Sequence, residues 1–433
     1  LYGEYLLHRL DDLKEYDIPY RWNTLREYIA ILERIKPSIN FFTLAGHGNI
    51  RGSVMGFKDG NPSREELLKM KALLHEALGD GAAGLSTGLI YPPGIYSTTE
   101  ELIELTRAGF DFSQTHGIPF IYASHMRNES ARLIESIEEV INIAEVSHSP
   151  VHISHLKTAG KENWHKIDRA LELIHGALNK GIRLSADRYP YTASSTDLDS
   201  ILPSWVFEGG KEKELERLRD ADTRAMIKKV LSEINSTEDI VISSVVSPSK
   251  KWMEGRHIKE IARRLGKDTA DTIIELLIEE GLRVGAIFHS MSEENLERFL
   301  KEPYMMIGTD SSSRSFDGPT AKGKPHPRGT GSMPRFLGHY VRERGLMHLE
   351  EAIRRITFLP AKTFGIAERG IIKDNAFADL VIFDPEKVTD RADFGAPFVR
   401  PEGIMYVFVN GCCALREGQT SGIRNGRILR NGR

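Results

Sequence analysis

Two short segments of the chain share a pattern in which a run of apolar and small residues ends in a histidine. Residues 119–125 lead to His125, and residues 150–155 lead to His155. The β-branched and aromatic residues predict a strand in each segment, and the polar residues that follow predict a loop. A single histidine in such a position often only anchors its loop. Two histidines at equivalent positions of two similar segments favour a pair of metal ligands, because imidazole is a preferred ligand of zinc.

Two later segments end in polar residues that could complete a hydrolytic site. Residues 181–190 lead to an aspartate followed by arginine, tyrosine and proline, and residues 304–313 end in Asp310 and three serines. Zinc lowers the pKa of a bound water towards neutrality, and a nearby carboxylate can then move the proton. We therefore predict that Asp310 is the catalytic acid and base. The alternative is that it only caps a turn.

The elements that must position these residues alternate between strands and helices. Capping boxes begin at Ser63 and at Thr98, and apolar residues follow at helical spacing. We place the C-terminal cap of the first of these helices at Gly79. The predicted strands are 39–45, 82–87, 119–124, 151–155, 182–187, 284–288 and 304–309. The alternation predicts an α/β fold with a parallel barrel, whose carboxyl-terminal rim carries the chemistry.

Composition limits the kinds of protein that this chain can be. Its 433 residues can form one large core and a smaller domain, and a net charge of −3 offers no nucleic-acid or membrane surface. No apolar run approaches the ~18 residues of a membrane span. The adjacent Cys412 and Cys413 cannot form a disulfide framework and are predicted to be buried thiols. We expect a cytoplasmic protein that acts on a small molecule. Its oligomeric state is left open.

Changes in residue pattern along the chain predict a division into domains. We assign residues 1–365 to the barrel, with its first strands missing, and within it an insertion at about 200–283 that is mostly helical and charged. From residue 366 to residue 433, short strand-like runs are joined by Gly and Asn turns. This last part predicts a small β domain with too few strands to be stable alone.

Seven segments, in the same order, together resemble one enzyme family. They are 84–94 (GLSTGLIYPPG), 124–129 (SHMRNE), 153–157 (ISHLK), 187–195 (DRYPYTASS), 308–310 (GTD), 326–328 (HPR) and 378–385 (ADLVIFDP). Over nearly its whole length the chain resembles the N-acyl-D-amino-acid deacylases, or D-aminoacylases, of the amidohydrolase superfamily. The resemblance implies a (β/α)8 TIM-like barrel of the metal-dependent hydrolase type with a small β-sandwich-like domain, incomplete at the N-terminus. It also implies hydrolysis of N-acyl-D-amino acids to a carboxylate and a free D-amino acid.

The resemblance also implies roles for individual residues around a metal. His125 and His155 match zinc ligands of the family, with one or two Zn2+ ions expected and other divalent metals possible. Asp310 matches the aspartate that takes a proton from the activated water and passes it to the leaving amine. His47 matches a family histidine to which we assign no role, and His326 is expected to support its loop.

Four further residues match positions that the family uses near the substrate carboxylate. These are Lys157, Tyr189, Ser195 and Arg328. A lysine and an arginine at the rim would orient an anionic N-acyl amino acid. The alternative for Lys157 and Arg328 is a solvated surface charge. For Tyr189 and Ser195 it is a role in packing or in a turn.

One part of the family pattern is not found in this sequence. The family opens with strands of the small domain, then a strand with His-x-His, then a strand that ends in a cysteine ligand, and no such segment occurs here. Two explanations compete. The chain is part of a longer protein whose front supplies these residues, or it is a non-catalytic relative. An opened barrel would expose strand edges and apolar interior to water, which favours the first explanation.

Two other functions remain as alternatives. A cyclic-amide hydrolase of the dihydroorotase or hydantoinase type resembles this chain in its barrel and histidines. Such enzymes use a carboxylated lysine on the fourth strand, whereas residues 81–97 contain no lysine, which disfavours this alternative. The other alternative is a protein that binds acylated amino acids without hydrolysing them.

Overall fold

The structure is a computed structural model that describes residues 16–19, 21–233 and 239–431. Residues 1–15 of the predicted barrel region and residues 234–238 of the predicted insertion lie outside the described residues. The described strands are β1 (Ala45–Gly46), β2 (Gly84–Gly88), β3 (Ile121–His125), β4 (Val151–Ile153), β5 (Leu184–Arg188), β6 (Ser194–Asp197), β7 (Ile240–Ser244), β8 (Gly285–Phe288), β9 (Met305–Ile307), β10 (Leu380–Phe383), β11 (Ile404–Val409), β12 (Cys412–Arg416) and β13 (Gln419–Thr420).

Helices connect these strands and cover the sheets. The α-helices are α1 (Leu25–Ile35), α2 (His47–Met55), α3 (Arg64–Asp80), α4 (Thr99–His116), α5 (Leu133–Ser147), α6 (Ile167–Asn179), α7 (Lys211–Arg219), α8 (Ala221–Glu233), α9 (Ile258–Leu265), α10 (Thr269–Glu279), α11 (Glu293–Lys301), α12 (Arg328–Arg335), α13 (Leu349–Ile356) and α14 (Phe358–Thr363). Shorter 3-10 segments are Gly94–Tyr96, Lys161–Lys166, Leu198–Ile201, Ser204–Phe207 and Pro248–Met253, and Phe336–Glu343 is a π-helix.

A parallel sheet in the order β1–β2–β3–β4–β5–β9 positions the predicted site residues. Its register places Gly88 of β2 opposite His125 at the end of β3. The apolar side chains of β2 to β5 and the inner faces of α3 to α6 form one large core cluster. Because the strands are parallel, their carboxyl ends meet at one rim, which carries His125 as the last residue of β3 and His155 and Asp310 in the loops after β4 and β9.

The helix that begins after Ser63 shows one correction. The Ser63 side chain accepts from the backbone N–H of Glu66 in a capping box, as predicted. However, α3 continues past Gly79 to Asp80, and the left-handed cap is Gly81 with φ of 115°. The prediction of a cap at Gly79 was therefore wrong. Hydrogen bonds from Arg26 to the carboxylate of Asp80 hold the last turn, and Gly81 supplies the positive φ that the reversal needs.

A second sheet lies in the region between β5 and β9 along the chain. Strands β6, β8 and β7 pair antiparallel in that order, and helices α7 to α10 pack with them around a separate apolar cluster. The predicted strand at 284–288 is present as β8, but counting it among the barrel strands was wrong. It pairs outside the parallel sheet because the apolar run of β7, in a region expected to be mostly helical, provides a partner.

The C-terminal part contains an antiparallel sheet in the order β10–β11–β12–β13. Cys412 and Cys413 begin β12 and are free thiols. They are only partly buried, so the prediction of buried thiols was wrong: the short sheet leaves one of its faces incompletely covered. No helix within the described ranges combines the length and apolar character needed to cross a membrane.

Candidate metal centre and active site

The two histidines at the ends of neighbouring strands lie in contact with each other. His125 Nδ1 is 2.9 Å from His155 Nε2. His155 Nδ1 is 2.8 Å from Oε1 of Glu129, which follows β3 in the same loop as His125. The potential ligand atoms of these three residues all lie within 4.8 Å of one another. The fold therefore brings together the two predicted ligands and adds a carboxylate that the sequence interpretation missed.

The protonation of this cluster suits a metal ion. Burial lowers the pKa of His125 to about 3, so the ring is neutral and can act as a ligand near pH 7. Its buried Nε2 has no hydrogen-bond partner within the described ranges of the chain. Burial opposes ionisation of Glu129, but the charges of Lys157 and of the histidines outweigh it and hold the pKa of that carboxyl well below its usual range. Two imidazole side chains beside a carboxylate fit a zinc site.

The position of Glu129 indicates how His155 is oriented. The Glu129 Oε1 atom that faces His155 Nδ1 also accepts a hydrogen bond from Lys157 Nζ. Glu129 therefore binds the His155 ring at Nδ1, whereas His125 lies at the other ring nitrogen, Nε2. A carboxylate bound to one ring nitrogen fixes the tautomer and leaves the other nitrogen for a metal. We therefore interpret Glu129 as the residue that orients His155.

A series of hydrogen bonds also supports the loop after β4. The backbone N–H of His155 donates to Asp187 Oδ1 at 2.8 Å, and His152 Nε2 is 2.9 Å from the other oxygen. His152 Nδ1 is in turn 2.9 Å from Ser185 Oγ. His155 has a φ of 43°, which a non-glycine residue adopts only when its surroundings enforce it. Asp187 is the group that holds this backbone in place.

Lys157 is buried inside the cluster and does not lie at a solvated rim. Its side chain is 3% exposed and donates to Glu129, with His155 Nδ1 2.9 Å away. This ion pair accounts for the position of the ammonium group, and the alternative of a solvated surface charge is wrong for Lys157. A direct contact with a substrate carboxylate stays a prediction for this residue.

Asp310 lies at the rim, paired with Arg328. The Asp310 Oδ2 atom is 2.7 Å from a guanidinium nitrogen of Arg328, whose side chain is only 6% exposed, whereas that of Asp310 is 36% exposed. Another guanidinium nitrogen donates to the carbonyl of Ser195 at 3.0 Å. Asp310 has a φ of 46°, so this residue too sits in an enforced backbone conformation. Its carboxylate is thus fixed by Arg328 and still reachable from solvent.

A cavity of about 350 Å³ opens beside this ion pair and takes its lining from β6, β7 and the loop after β9. Ser195, Asp310 and Arg328 line it together with two further basic side chains, Arg314 and Lys322. The hydroxyl of Ser195 donates to the Ala286 carbonyl at 2.9 Å and is engaged within the sheet. The excess of cationic groups makes the cavity suitable for an anion.

Tyr189 lies under the Arg328 side chain. It is fully buried, and the guanidinium carbons of Arg188 and Arg328 lie 4.3 and 4.5 Å from its ring centre. Its hydroxyl has no hydrogen-bond partner among the described residues. The ring supports Arg328 by cation–π packing, and a contact of the hydroxyl with substrate stays a prediction.

The two other histidines from the sequence patterns have structural partners. His47, at the start of α2, is fully buried with Nε2 2.8 Å from Glu101, and Glu101 also binds Arg51. This triad ties α2 to α4 and accounts for a histidine that had no assigned role. His326 faces the Ala193 carbonyl at 2.9 Å and accepts from the Arg328 backbone N–H, which is the loop support that we expected.

The amidohydrolase family model matches residues 16–414, and the chain belongs to that family. It is 34% identical to a D-aminoacylase of Alcaligenes xylosoxydans xylosoxydans over 420 residues, which cover 96% of this chain and 76% of that protein. The comparisons confirm the predicted family, the predicted barrel fold with a small domain and the predicted enzyme class, an amidohydrolase.

Two solved structures resemble this one closely. The first is an N-acyl-D-glutamate deacylase from Bordetella bronchiseptica with zinc and a phosphonate inhibitor, with a TM-score of 0.78 and 33% identity over 94% of this chain and 75% of that one. The second is a D-aminoacylase described with a binuclear metal centre, with a TM-score of 0.76 and 33% identity over 95% of this chain and 76% of that one.

Proposed function

We propose that this protein hydrolyses N-acyl-D-amino acids to a carboxylate and a free D-amino acid, with zinc as its metal. The observation that carries the proposal is that a histidine pair and an arginine–carboxylate pair lie within electrostatic range of each other. The charge of Arg328 acts on His125, and the charges of Glu129 and Asp310 both act on Tyr91. A metal centre beside a fixed carboxylate and a cation is the arrangement that hydrolysis of an anionic amide needs.

His125 and His155 would hold the metal. When bound, zinc activates water and polarises the acyl carbonyl. The protein's own residues supply the proton transfers and the orientation of the substrate. Asp310 accepts the proton from the attacking water and gives it to the leaving amine. The ion pair with Arg328 keeps the Asp310 carboxylate in place for both steps.

The likeness to D-aminoacylase and to N-acyl-D-glutamate deacylase supports the D configuration and the open-chain amide. A direct test offers the metal-loaded protein three substrates: N-acetyl-D-norleucine, its L enantiomer and dihydrouracil. We expect release of free amino acid from the D compound alone. Hydrolysis of dihydrouracil with no reaction of the D compound would show a cyclic-amide hydrolase, and binding of the D compound without reaction would show a binding protein.

Arg328 provides the second prediction about substrates. We expect Arg328→Lys to raise KM for N-acetyl-D-norleucine about 10- to 100-fold, because a charged hydrogen bond contributes about 1.5–3 kcal/mol and lysine cannot reproduce the planar fork. The matched measurement uses the methyl ester of the same substrate, which lacks the carboxylate charge. A similar rise in KM for the ester would mean that Arg328 does not recognise the carboxylate.

Glu129 provides a prediction about the metal. We expect Glu129→Gln to weaken zinc binding about 10- to 100-fold, because the amide no longer fixes the tautomer of His155. Competitive titration with a chromogenic chelator measures the affinity. Glu135→Gln, an exposed glutamate of α5, is the control and should bind zinc like the parent. An unchanged affinity in Glu129→Gln would remove this residue from the site.

A further inference from the structure

A second and larger cavity shares the lining residue Asp197 with the cavity beside the Asp310–Arg328 ion pair, which we call the Arg328 cavity. Its volume is about 610 Å³. One wall includes Gly46 of β1, Ser86 of β2 and Tyr91 in the loop after β2. The other wall carries three carboxyl groups from the region between β5 and β9, Asp197, Asp199 and Glu214. We call it the acidic cavity.

Glu214 is the most unusual member of this lining. The residue is 5% exposed, and its Oε1 has no hydrogen-bond partner in the described part of the chain. The nearby Arg217 donates to the backbone carbonyls of Val206 and Glu208. A buried carboxyl oxygen without a donor is costly, and a ligand that brings a donor would remove that cost.

The charges around Glu214 favour a cationic ligand. Burial, reinforced by the charge of Asp199, raises its pKa to about 8, while Arg217 and Lys211 act in the opposite direction without offsetting the burial. Burial, reinforced by Asp197, likewise raises the pKa of Asp199 to about 7. Groups held partly neutral in this way ionise when a positive charge arrives beside them.

A second buried polar atom belongs to the same region. The hydroxyl of Tyr96 has no hydrogen-bond partner among the residues that the structure describes, and its pKa is raised by burial and by the charges of Asp59, Glu208 and Glu214. Arg217 acts on Tyr96 in the opposite direction. The surroundings of the acidic cavity thus carry an excess of negative groups and a hydroxyl that could bind a donor or an acceptor.

The acidic cavity is adjacent to the candidate metal centre. The ring of Tyr91 lines it, and its centre is 5.3 Å from that of His125. The Tyr91 hydroxyl is 2.8 Å from Thr196 Oγ1, and Thr196 lines the Arg328 cavity. Asp197 lines both cavities. One substrate molecule can therefore place its carboxylate beside Arg328 and another of its arms in the acidic cavity.

We propose that the acidic cavity binds a cationic substrate side chain, so that the preferred substrates are N-acyl derivatives of D-lysine or D-arginine. The proposal rests on the proposed function and adds the substrate class. The flexible four-carbon stem of lysine can carry an ammonium group with three donors to Glu214 and Asp199. The same carboxylates repel an acidic side chain, which separates this chain from the N-acyl-D-glutamate deacylase that it resembles.

The test compares two substrates that differ only in the terminal ammonium group, N-acetyl-D-lysine and N-acetyl-D-norleucine. We expect kcat/KM for the lysine derivative to be at least about tenfold higher, because its ammonium group can donate charge-assisted hydrogen bonds to the carboxyl groups and the methyl end of norleucine cannot. In Glu214→Gln and in Asp199→Asn this ratio should fall towards unity. Glu216→Gln, on the exposed face of α7, should keep the parental ratio.

A parental ratio of unity or below would overturn the proposal. So would a loss of activity in both variants that is equal for the two substrates, because a purely structural role of the carboxyls predicts that result. If neither substrate is hydrolysed, the proposed function fails. In that case calorimetric binding of the two compounds decides the question, with tighter binding of the lysine derivative expected and equal binding overturning the proposal.

Discussion

Asp310→Asn is expected to abolish hydrolysis of N-acyl-D-amino acids while the metal stays bound. The amide has nearly the shape of the carboxylate and can still contact Arg328, but it cannot accept a proton from water or deliver one to the leaving amine. Loss of general acid–base catalysis alone costs about 100- to 10,000-fold in rate. Because Asp310 does not contact the histidine pair directly, the zinc content should equal that of the parent.

The measurement is kcat for N-acetyl-D-norleucine together with zinc per chain by atomic emission. Asp317→Asn changes an exposed carboxylate in the same loop and should behave like the parent. Parental turnover in Asp310→Asn would show that the proton passes through another group. Loss of both zinc and turnover would instead make Asp310 a ligand.

His125→Ala and His155→Ala are expected to lower the zinc affinity by more than the roughly 10- to 100-fold typical of an outer partner such as Glu129. Each change removes one of the two imidazoles proposed as ligands, whose facing nitrogens lie 2.9 Å apart. Hydrolysis should fall with the bound metal. Zinc per chain after dialysis at a fixed free-zinc concentration measures the effect.

The matched control for these variants is His165→Ala, which removes an exposed histidine outside the cluster. Its zinc content and thermal midpoint should equal those of the parent. If both His125→Ala and His155→Ala kept parental zinc, neither histidine would be a ligand, and the candidate metal centre would have to lie elsewhere.

The sequence predicted the residues at strand ends well because strand periodicity and parallel pairing fix where those residues lie. The end of β3 and the end of β4 are set by the apolar runs before them, and the parallel register then brings His125 next to His155. The same reasoning placed Asp310 after β9. Local patterns suffice where one strand end determines the position of one side chain.

Partners contributed by loops could not be predicted in this way. Glu129 contacts His155 from the loop after β3, and Lys157 is buried against Glu129 instead of facing solvent. Such contacts depend on the path of irregular backbone and on charge pairing between distant residues, for which the sequence has no periodic signal. The sequence SHMRNE offered one indication, an acidic residue close behind the histidine.

The region between β5 and β9 was the hardest to predict for a related reason. Its helices have clear apolar spacing, but β7 is a short apolar run of the kind that fits a strand or a buried helix equally well. Because β7 is a strand, β8 pairs with it in an antiparallel sheet and is not one of the strands of the parallel sheet. The carboxyl groups of the acidic cavity come from this same region, so their placement followed only from the three-dimensional structure.

The most direct test of the central claim is whether the hydrolysis of N-acetyl-D-norleucine depends on zinc. The protein is assayed for release of free D-norleucine as purified, after removal of metal by a chelator, and after zinc is restored. We predict activity that is lost with the metal, returns with zinc and is absent for the L enantiomer. Hydrolysis that persists without metal, or zinc-restored protein that releases no D-norleucine, would contradict the account.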